Sequence, residues 1–114
     1  MNEVPPWPQI IQDQLRTLGS EAKQLEYERK VPHVDITVEL VCGWFDDMYH
    51  PKDAAFQSCF TASQLEALAE FNEFFDQRVE LLPESKGTVT TWLASPIWRE
   101  VMNAASKTLA RIAV

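Results

Sequence analysis

The sequence contains little glycine and little cysteine, and each shortage argues against a class of site. Its 114 residues include only three glycines, at widely separated positions. A loop that cradles nucleotide phosphates needs closely spaced glycines, so a nucleotide-binding site of that kind is not expected. The two cysteines, Cys42 and Cys59, lie in apolar stretches instead of a metal or redox spacing. That placement is typical of small buried thiols in a reduced protein.

Residues 1–8 lack the apolar run of a secretory signal or a membrane span. They contain three prolines and one acidic residue, which indicates an extended lead-in to the folded part of the chain. The expected location by default is the cytoplasm. Residues 9–114 suffice for one hydrophobic core but not for two. With 46% hydrophobic residues, we expect them to form a single packed domain.

The clearest structural pattern lies in residues 60–83. Thr61 and Gln64 have the spacing of a capping box, in which each side chain bonds the backbone N–H of the other residue. Beyond them, apolar residues recur at helical spacing on one side and acidic residues recur on the other. Pro83 cannot continue a helix. The stretch therefore predicts a helix with an acidic outer face and a buried face that includes Leu81 and extends to Leu82.

Two other helices are indicated by their start signals. Residues 9–30 predict a helix that Gly19 and Ser20 would divide, since glycine weakens a helix interior and serine caps a new one. Ser95 and Pro96 have the order expected at the start of the last helix. The first helix carries one narrow apolar stripe, which consists of Ile11, Leu15, Leu18, Ala22 and Leu25.

Residues 33–49 fit two structures. The apolar residues alternate as in a strand, yet Leu40, Trp44 and Met48 also share one face of a helix. We favour a helix capped by Asp35, because a lone strand would have no sheet to join. Taken together, the patterns predict an all-α, single-domain bundle of about four helices. Residues 33–42 are the one segment that also fits a strand or an irregular structure.

Asp46, Asp47, His50 and Asp53 are the residues that most resemble a reaction site. On a continuing helix Asp46 and His50 would share a face and could bind a metal. Pro51 argues against such a helix, and no second set of His or Cys supplies the remaining ligands. We therefore expect no catalytic residue, no metal and no cofactor, and we expect the protein not to be an enzyme.

Charge is distributed unevenly along the chain. The formal net charge is −7, but residues 33–85 alone carry 11 acidic and 2 basic side chains. Residues 86–114 carry 1 acidic and 4 basic side chains. A strongly anionic centre disfavours nucleic acid and anionic membranes as direct ligands, because phosphate contacts depend on lysine and arginine. It favours a basic protein as the partner.

These features together suggest a small binding protein. A small acidic chain without a catalytic set has the physical profile of inhibitors that neutralise basic toxins, such as bacterial immunity proteins. That comparison is by class and not by motif. The residues expected to bind the partner are Glu66, Glu70, Glu73, Glu80, Asp46 and Asp47.

Two alternatives remain open from the sequence. An acidic helical face is often no more than a solvated face, so the chain could be a structural or oligomeric helical module without a dedicated ligand. In that case Trp44, Trp92 or Trp98 would be buried in a homodimer. The second alternative is a small metal-dependent enzyme that uses Asp46 and His50.

Overall fold

Seven α-helices and one π-helix account for the regular structure of residues 5–84 and 88–113, the part of the chain that the computed structural model describes. This part contains no strand, so the all-α prediction is confirmed, with more helices than the four expected. The π-helix Gly43–Met48 directly continues the third α-helix. The α-helices are α1 Trp7–Leu18, α2 Glu21–Lys30, α3 Ile36–Cys42, α4 Ala54–Gln57, α5 Ala62–Val79, α6 Val89–Leu93 and α7 Pro96–Ile112.

Helix α5 begins as its sequence predicts. The Thr61 hydroxyl accepts a hydrogen bond from the Gln64 N–H at 3.1 Å, and the Gln64 side chain accepts one from the Thr61 N–H at 2.8 Å. The helix ends at Val79, before Pro83. The assignment of Leu81 to the buried face is wrong, because this side chain lies beyond the helix and is 63% exposed.

Helices α1 and α2 divide where the sequence predicts a break. Ser20 begins α2 by accepting a hydrogen bond from the Lys23 N–H. Helix α1 begins at Trp7, two residues earlier than expected. The predicted stripe is correct in α1 but wrong in α2, where Ala22 and Leu25 are exposed. A helix that restarts at a new cap does not keep the angular register of the helix before it, so the stripe does not carry across the break.

Gln24 is the residue of α2 that is buried in the core. This polar side chain is fully buried. Its amide N–H groups donate to the carbonyls of Thr17 and Leu18, each at 3.0 Å, and its amide oxygen accepts from the Trp98 indole at 3.0 Å. Burying an amide is tolerated only when its hydrogen bonds are made. Gln24 therefore joins α1, α2 and α7 through satisfied bonds.

Residues 35–48 are helical, as favoured from the sequence. The Asp35 carboxylate accepts from the Thr37 and Val38 N–H groups at 3.1 and 3.4 Å and so begins α3. The adjoining π-helix turns Trp44 into the core, where its indole donates to Asn72 of α5 at 3.0 Å. The segment near residues 33–42 is therefore not a strand.

Helices α5 and α7 run antiparallel across the core. The Gln64 side chain, near the start of α5, donates to the carbonyl of Ile112 at the end of α7. At the opposite ends, Arg78 of α5 lies 3.8 Å from Glu100 of α7. No helix among the described residues combines the length and the apolar character needed to cross a membrane. The largest fully buried side chains are Trp44, Trp98, Phe56, Phe71 and Phe75.

Candidate protein-binding surface

A groove of about 360 Å³ lies between α3 and the chain that leaves α5. Most of the side chains in its walls are apolar. We name it the carboxylate groove, after Glu84 in its lining and the carboxylates that act on Cys42 in its wall. It is lined by Thr37, Val38, Val41, Cys42, Val79, Leu82, Pro83, Glu84 and Trp92.

Hydrogen bonds hold both walls of the carboxylate groove. On one wall, the Asp35 cap sets where α3 begins, and Val38 of α3 is 51% exposed. On the other wall, the Trp92 indole donates to the Pro83 carbonyl at 2.7 Å, which ties the chain after α5 to α6. The groove is thus formed by elements that are fixed to the body of the protein.

Carboxylates lie around the thiol of Cys42, which is half-buried in the groove wall. Burial raises the pKa of the Cys42 thiol. The negative charges of the nearby Asp46, Asp47 and Glu39 carboxylates raise that pKa further. Asp46 and Asp47, the two predicted residues of the π-helix, therefore act together with Glu39 on a thiol in the groove wall.

Two more carboxylates belong to the other side of the carboxylate groove. Glu84 lines it directly. Glu80, a predicted binding residue, is exposed and comes directly after the lining residue Val79 in the chain. Within residues 5–84 and 88–113, neither of them forms an ion pair, and the same is true of Asp46 and Asp47.

The four predicted glutamates of α5 and its end do not share one environment. Glu66, Glu73 and Glu80 are exposed and recur every seven residues, which places them nearly on one line. The line is roughly 20 Å long at 1.5 Å per residue. Glu70 lies to one side and forms an ion pair with Arg111 of α7. The acidic line therefore leads from the start of α5 towards the carboxylate groove, and Glu70 is not part of it.

A second groove, of about 450 Å³, lies on the α7 side of α5. Here acidic and basic side chains are paired. Glu70 pairs with Arg111, and Arg78 lies 3.8 Å from Glu100 with its guanidinium 3.5 Å from the centre of the Phe74 ring. We call this the mixed-charge groove. Its lining residues are Glu70, Phe71, Phe74, Glu100, Asn103, Ala104, Lys107, Thr108 and Arg111.

The residues of the metal-enzyme alternative have other contacts. The His50 ring donates from Nε2 to the Asp47 carbonyl at 2.8 Å, and it packs edge-on against Trp7 with the ring centres 5.1 Å apart. The π-helix ends at Met48, so Asp46 and His50 do not share a helix. In the described part of the chain, no three His, Cys, Asp or Glu side chains lie close enough together to hold a metal ion.

The tryptophans of the dimer alternative lie inside one chain. Trp44 and Trp98 are fully buried, and Trp92 is 7% exposed. Trp44 and Trp98 are therefore not available to form a second interface, and Trp92 has only a small exposed area, in the wall of the carboxylate groove. A homodimer through another surface remains a prediction.

Comparison of the chain with protein-family models, with curated proteins and with solved structures gives no match in any of the three.

The sequence did not reveal the carboxylate groove. Glu84, which lines the groove, and Glu39, which acts on the Cys42 thiol in its wall, were not among the residues expected to bind a partner. Two signals in the sequence were informative. An Asp cap sets the register of α3, whose outer face carries Val38 beside Glu39. The proline soon after α5 implies that the chain leaves the helix before it, so the helical face does not extend to Leu82.

Proposed function

We propose that this protein is a cytoplasmic binding protein that neutralises or regulates a basic protein. The class of partner that best fits is a basic toxin, which would make the chain an immunity protein. The surface that would bind the partner comprises the line of Glu66, Glu73 and Glu80 together with Asp46 and Asp47 of the π-helix. Glu70, which pairs with Arg111, contributes less.

One observation supports this proposal most directly. Five of the protein's ten lysines and arginines form ion pairs elsewhere: the described pairs involve Asp13, Glu21, Glu26, Glu70 and Glu100. The carboxylates of the proposed surface form none of these pairs. Their charge is therefore not cancelled by a neighbouring lysine or arginine within the described residues.

An uncancelled anionic surface changes how a protein meets a cationic partner. Exposed charges of one sign raise the rate of association with a partner of opposite sign by roughly 10- to 1,000-fold, and salt reduces the effect. Pairing with an internal cation would remove most of that field. The arrangement is thus suited to fast capture of a basic protein.

The product of the reading frame adjacent to this one is the first partner to test. We expect that product to be basic, to bind this chain, and to lose its toxicity when the two are expressed together. The triple variant Glu66→Lys, Glu73→Lys, Glu80→Lys should slow association at low salt by about tenfold or more and weaken its salt dependence. Stopped-flow fluorescence measures the rates, and circular dichroism verifies that the helices remain.

A second triple variant separates the position of the charges from their number. Asp13→Lys, Glu21→Lys, Glu26→Lys changes the net charge by the same amount, but at exposed residues that lie in α1 and α2. We expect it to slow association much less. Equal slowing by the two triple variants, or wild-type rates for the first, would show that the proposed surface does not guide the partner.

A further inference from the structure

We infer that the carboxylate groove receives an apolar side chain of the basic partner, from a segment in which lysines or arginines flank that side chain. This inference rests on the proposed function. It adds a second step after electrostatic capture: a single apolar contact at the end of the acidic line, in a groove that no other described segment fills.

Exposed hydrophobic side chains lie at the carboxylate groove and beside it. Four large hydrophobic side chains are exposed among the described residues, namely Leu25, Tyr27, Val38 and Leu81. Val38 lines the carboxylate groove, and Leu81 adjoins its lining residue Leu82. At about 360 Å³, the groove is at the lower end of the volumes that take small ligands. It therefore fits one or two side chains better than a whole helix face.

The charges near the groove indicate that the residues that flank the partner's apolar side chain are cationic. Glu84 lines it, and Glu39, Asp46 and Asp47 act on the Cys42 thiol in its wall. None of the described lining residues is a lysine or an arginine. A segment that is apolar at its centre and cationic at its edges complements both features at once.

The orientation of Arg78 makes the groove more selective for cations. This residue directly precedes the lining residue Val79, so it is the nearest cation along the described chain. Its guanidinium nevertheless stacks on Phe74 and faces Glu100, both of which line the mixed-charge groove. The carboxylate groove is therefore left without the one cation that could have neutralised it from α5.

The test uses a synthetic amphipathic peptide of leucine and lysine as the probe. The chain carries Cys59→Ser, so that Cys42 is its only thiol. We expect the peptide to bind, and at saturation to slow alkylation of Cys42 by iodoacetamide by about tenfold or more. A second peptide in which every lysine is replaced by glutamate should neither bind nor protect the thiol.

Two matched variants locate the binding. Val38→Lys places a cation at the edge of the groove, whereas Leu25→Lys makes the same change in charge at another exposed apolar residue, on α2. We expect Val38→Lys to weaken peptide binding by tenfold or more, about what loss of one buried aliphatic contact gives, and Leu25→Lys to change it less than threefold. Equal effects of the two variants would overturn the inference.

Three other results would each overturn the inference, because each indicates a different occupant of the groove or a different binding site. If the chain alone sediments as a dimer with Cys42 already protected, the groove binds a second copy. If the glutamate peptide binds as well as the lysine peptide, the groove selects apolar character only. Unprotected Cys42 in the saturated complex would place the peptide elsewhere on the molecule.

The same measurements separate this inference from the proposed function. If Val38→Lys leaves binding of the basic partner unchanged while the glutamate reversals in α5 slow it, the result supports the acidic surface and contradicts the groove contact. If binding is lost in Val38→Lys but is insensitive to salt and to the reversals, an apolar contact exists without electrostatic capture. That second result would contradict both the proposed function and the cationic part of the inference.

Discussion

The two grooves beside α5 have similar volumes and opposite electrostatics. The mixed-charge groove, against α7, contains acidic and basic side chains that pair with each other, as Glu70 does with Arg111. In the carboxylate groove, against α3, Glu84 is the only charged residue of the described lining, and it forms no described ion pair. The same helix therefore borders a neutralised surface on one side and an anionic one on the other.

The difference arises from the part of the chain that supplies the second wall. Helix α7 belongs to the basic segment, and it contributes Lys107 and Arg111 to the mixed-charge groove. Helix α3 and the π-helix belong to the strongly acidic segment, and their only charged residues are Glu39, Asp46 and Asp47. An uneven distribution of charge along the sequence has thus become an uneven distribution across the fold.

The largest expected effect compares the loss of stability when one aromatic side chain beside each groove is truncated. Trp44 is fully buried and binds Asn72, so it holds the π-helix against α5 beside the carboxylate groove. Trp44→Ala should lower the free energy of unfolding by about 3–5 kcal/mol, the range for truncating a buried aromatic residue. Phe74→Ala, in the mixed-charge groove, should cost less because Phe74 is only half-buried. Urea denaturation measures both; a larger loss for Phe74→Ala would reverse the comparison.

The next largest effect compares the N-terminal caps of α3 and α7, the helices that face α5 across the two grooves. Asp35 caps α3 through its side chain, whereas in the described structure the Ser95 side chain makes no capping hydrogen bond to α7. Asp35→Ala should therefore cost about 1 kcal/mol, and Ser95→Ala only a few tenths. Thermal unfolding of the two variants under the same conditions provides the measurement. Similar losses would mean that the Asp35 carboxylate does not set the start of α3.

A smaller effect is expected for the ion pair of the mixed-charge groove. Glu70 and Arg111 are both half-exposed, at 58% and 50% of their side-chain area. Arg111→Gln should change the free energy of unfolding by less than about 1 kcal/mol, since exposed pairs contribute little and salt screens them. The change should shrink further in high salt. A loss that persists there would indicate that Arg111 contributes through packing and not through charge.

The smallest effect tests whether carboxylates surround the Cys42 thiol. Because the pKa of this thiol is raised, its alkylation should become fast only above the ordinary thiol value of about 8.5. In the Cys59→Ser background, Asp46→Asn should move the midpoint of the pH–rate profile to lower pH, since the variant removes a nearby negative charge. An unchanged midpoint would show that burial alone accounts for the raised pKa.

The same shift has a defined sign for stability. A raised pKa means that the folded state favours the protonated thiol. The stabilisation is fully present below the ordinary thiol pKa and is lost as pH rises through the folded-state value. Cys42→Ser should flatten this part of the profile of stability against pH.

Local signals in the sequence predicted much of the fold. The capping box of Thr61 and Gln64, the new start at Ser20 and the Asp35 cap all involve residues within three positions of one another. Such signals depend on backbone geometry that neighbouring residues set, so they can be recognised without the tertiary structure. The acidic outer face of α5 is predicted in the same way, from helical periodicity.

The features that were missed depend on distant residues. Gln24 can be buried because Trp98, 74 positions away, donates a hydrogen bond to it; a polar residue in a helix gives no sign of such a partner. Glu70 differs from its neighbours because Arg111, 41 positions away, pairs with it. The carboxylate groove combines residues from three separate stretches of the chain. Periodicity along one helix contains none of this information.

The π-helix brings two core rings that are five residues apart in the chain onto one face. Trp44 and Tyr49 stack with their ring centres 5.0 Å apart, and the Tyr49 N–H bonds the Trp44 carbonyl across the wide turn between them. Ordinary α-helical winding advances about 100° per residue, so it would put residues five positions apart on faces about 140° apart. Winding this turn as an ordinary α-helix of the same length would therefore separate the two rings, which the wider turn holds on one face.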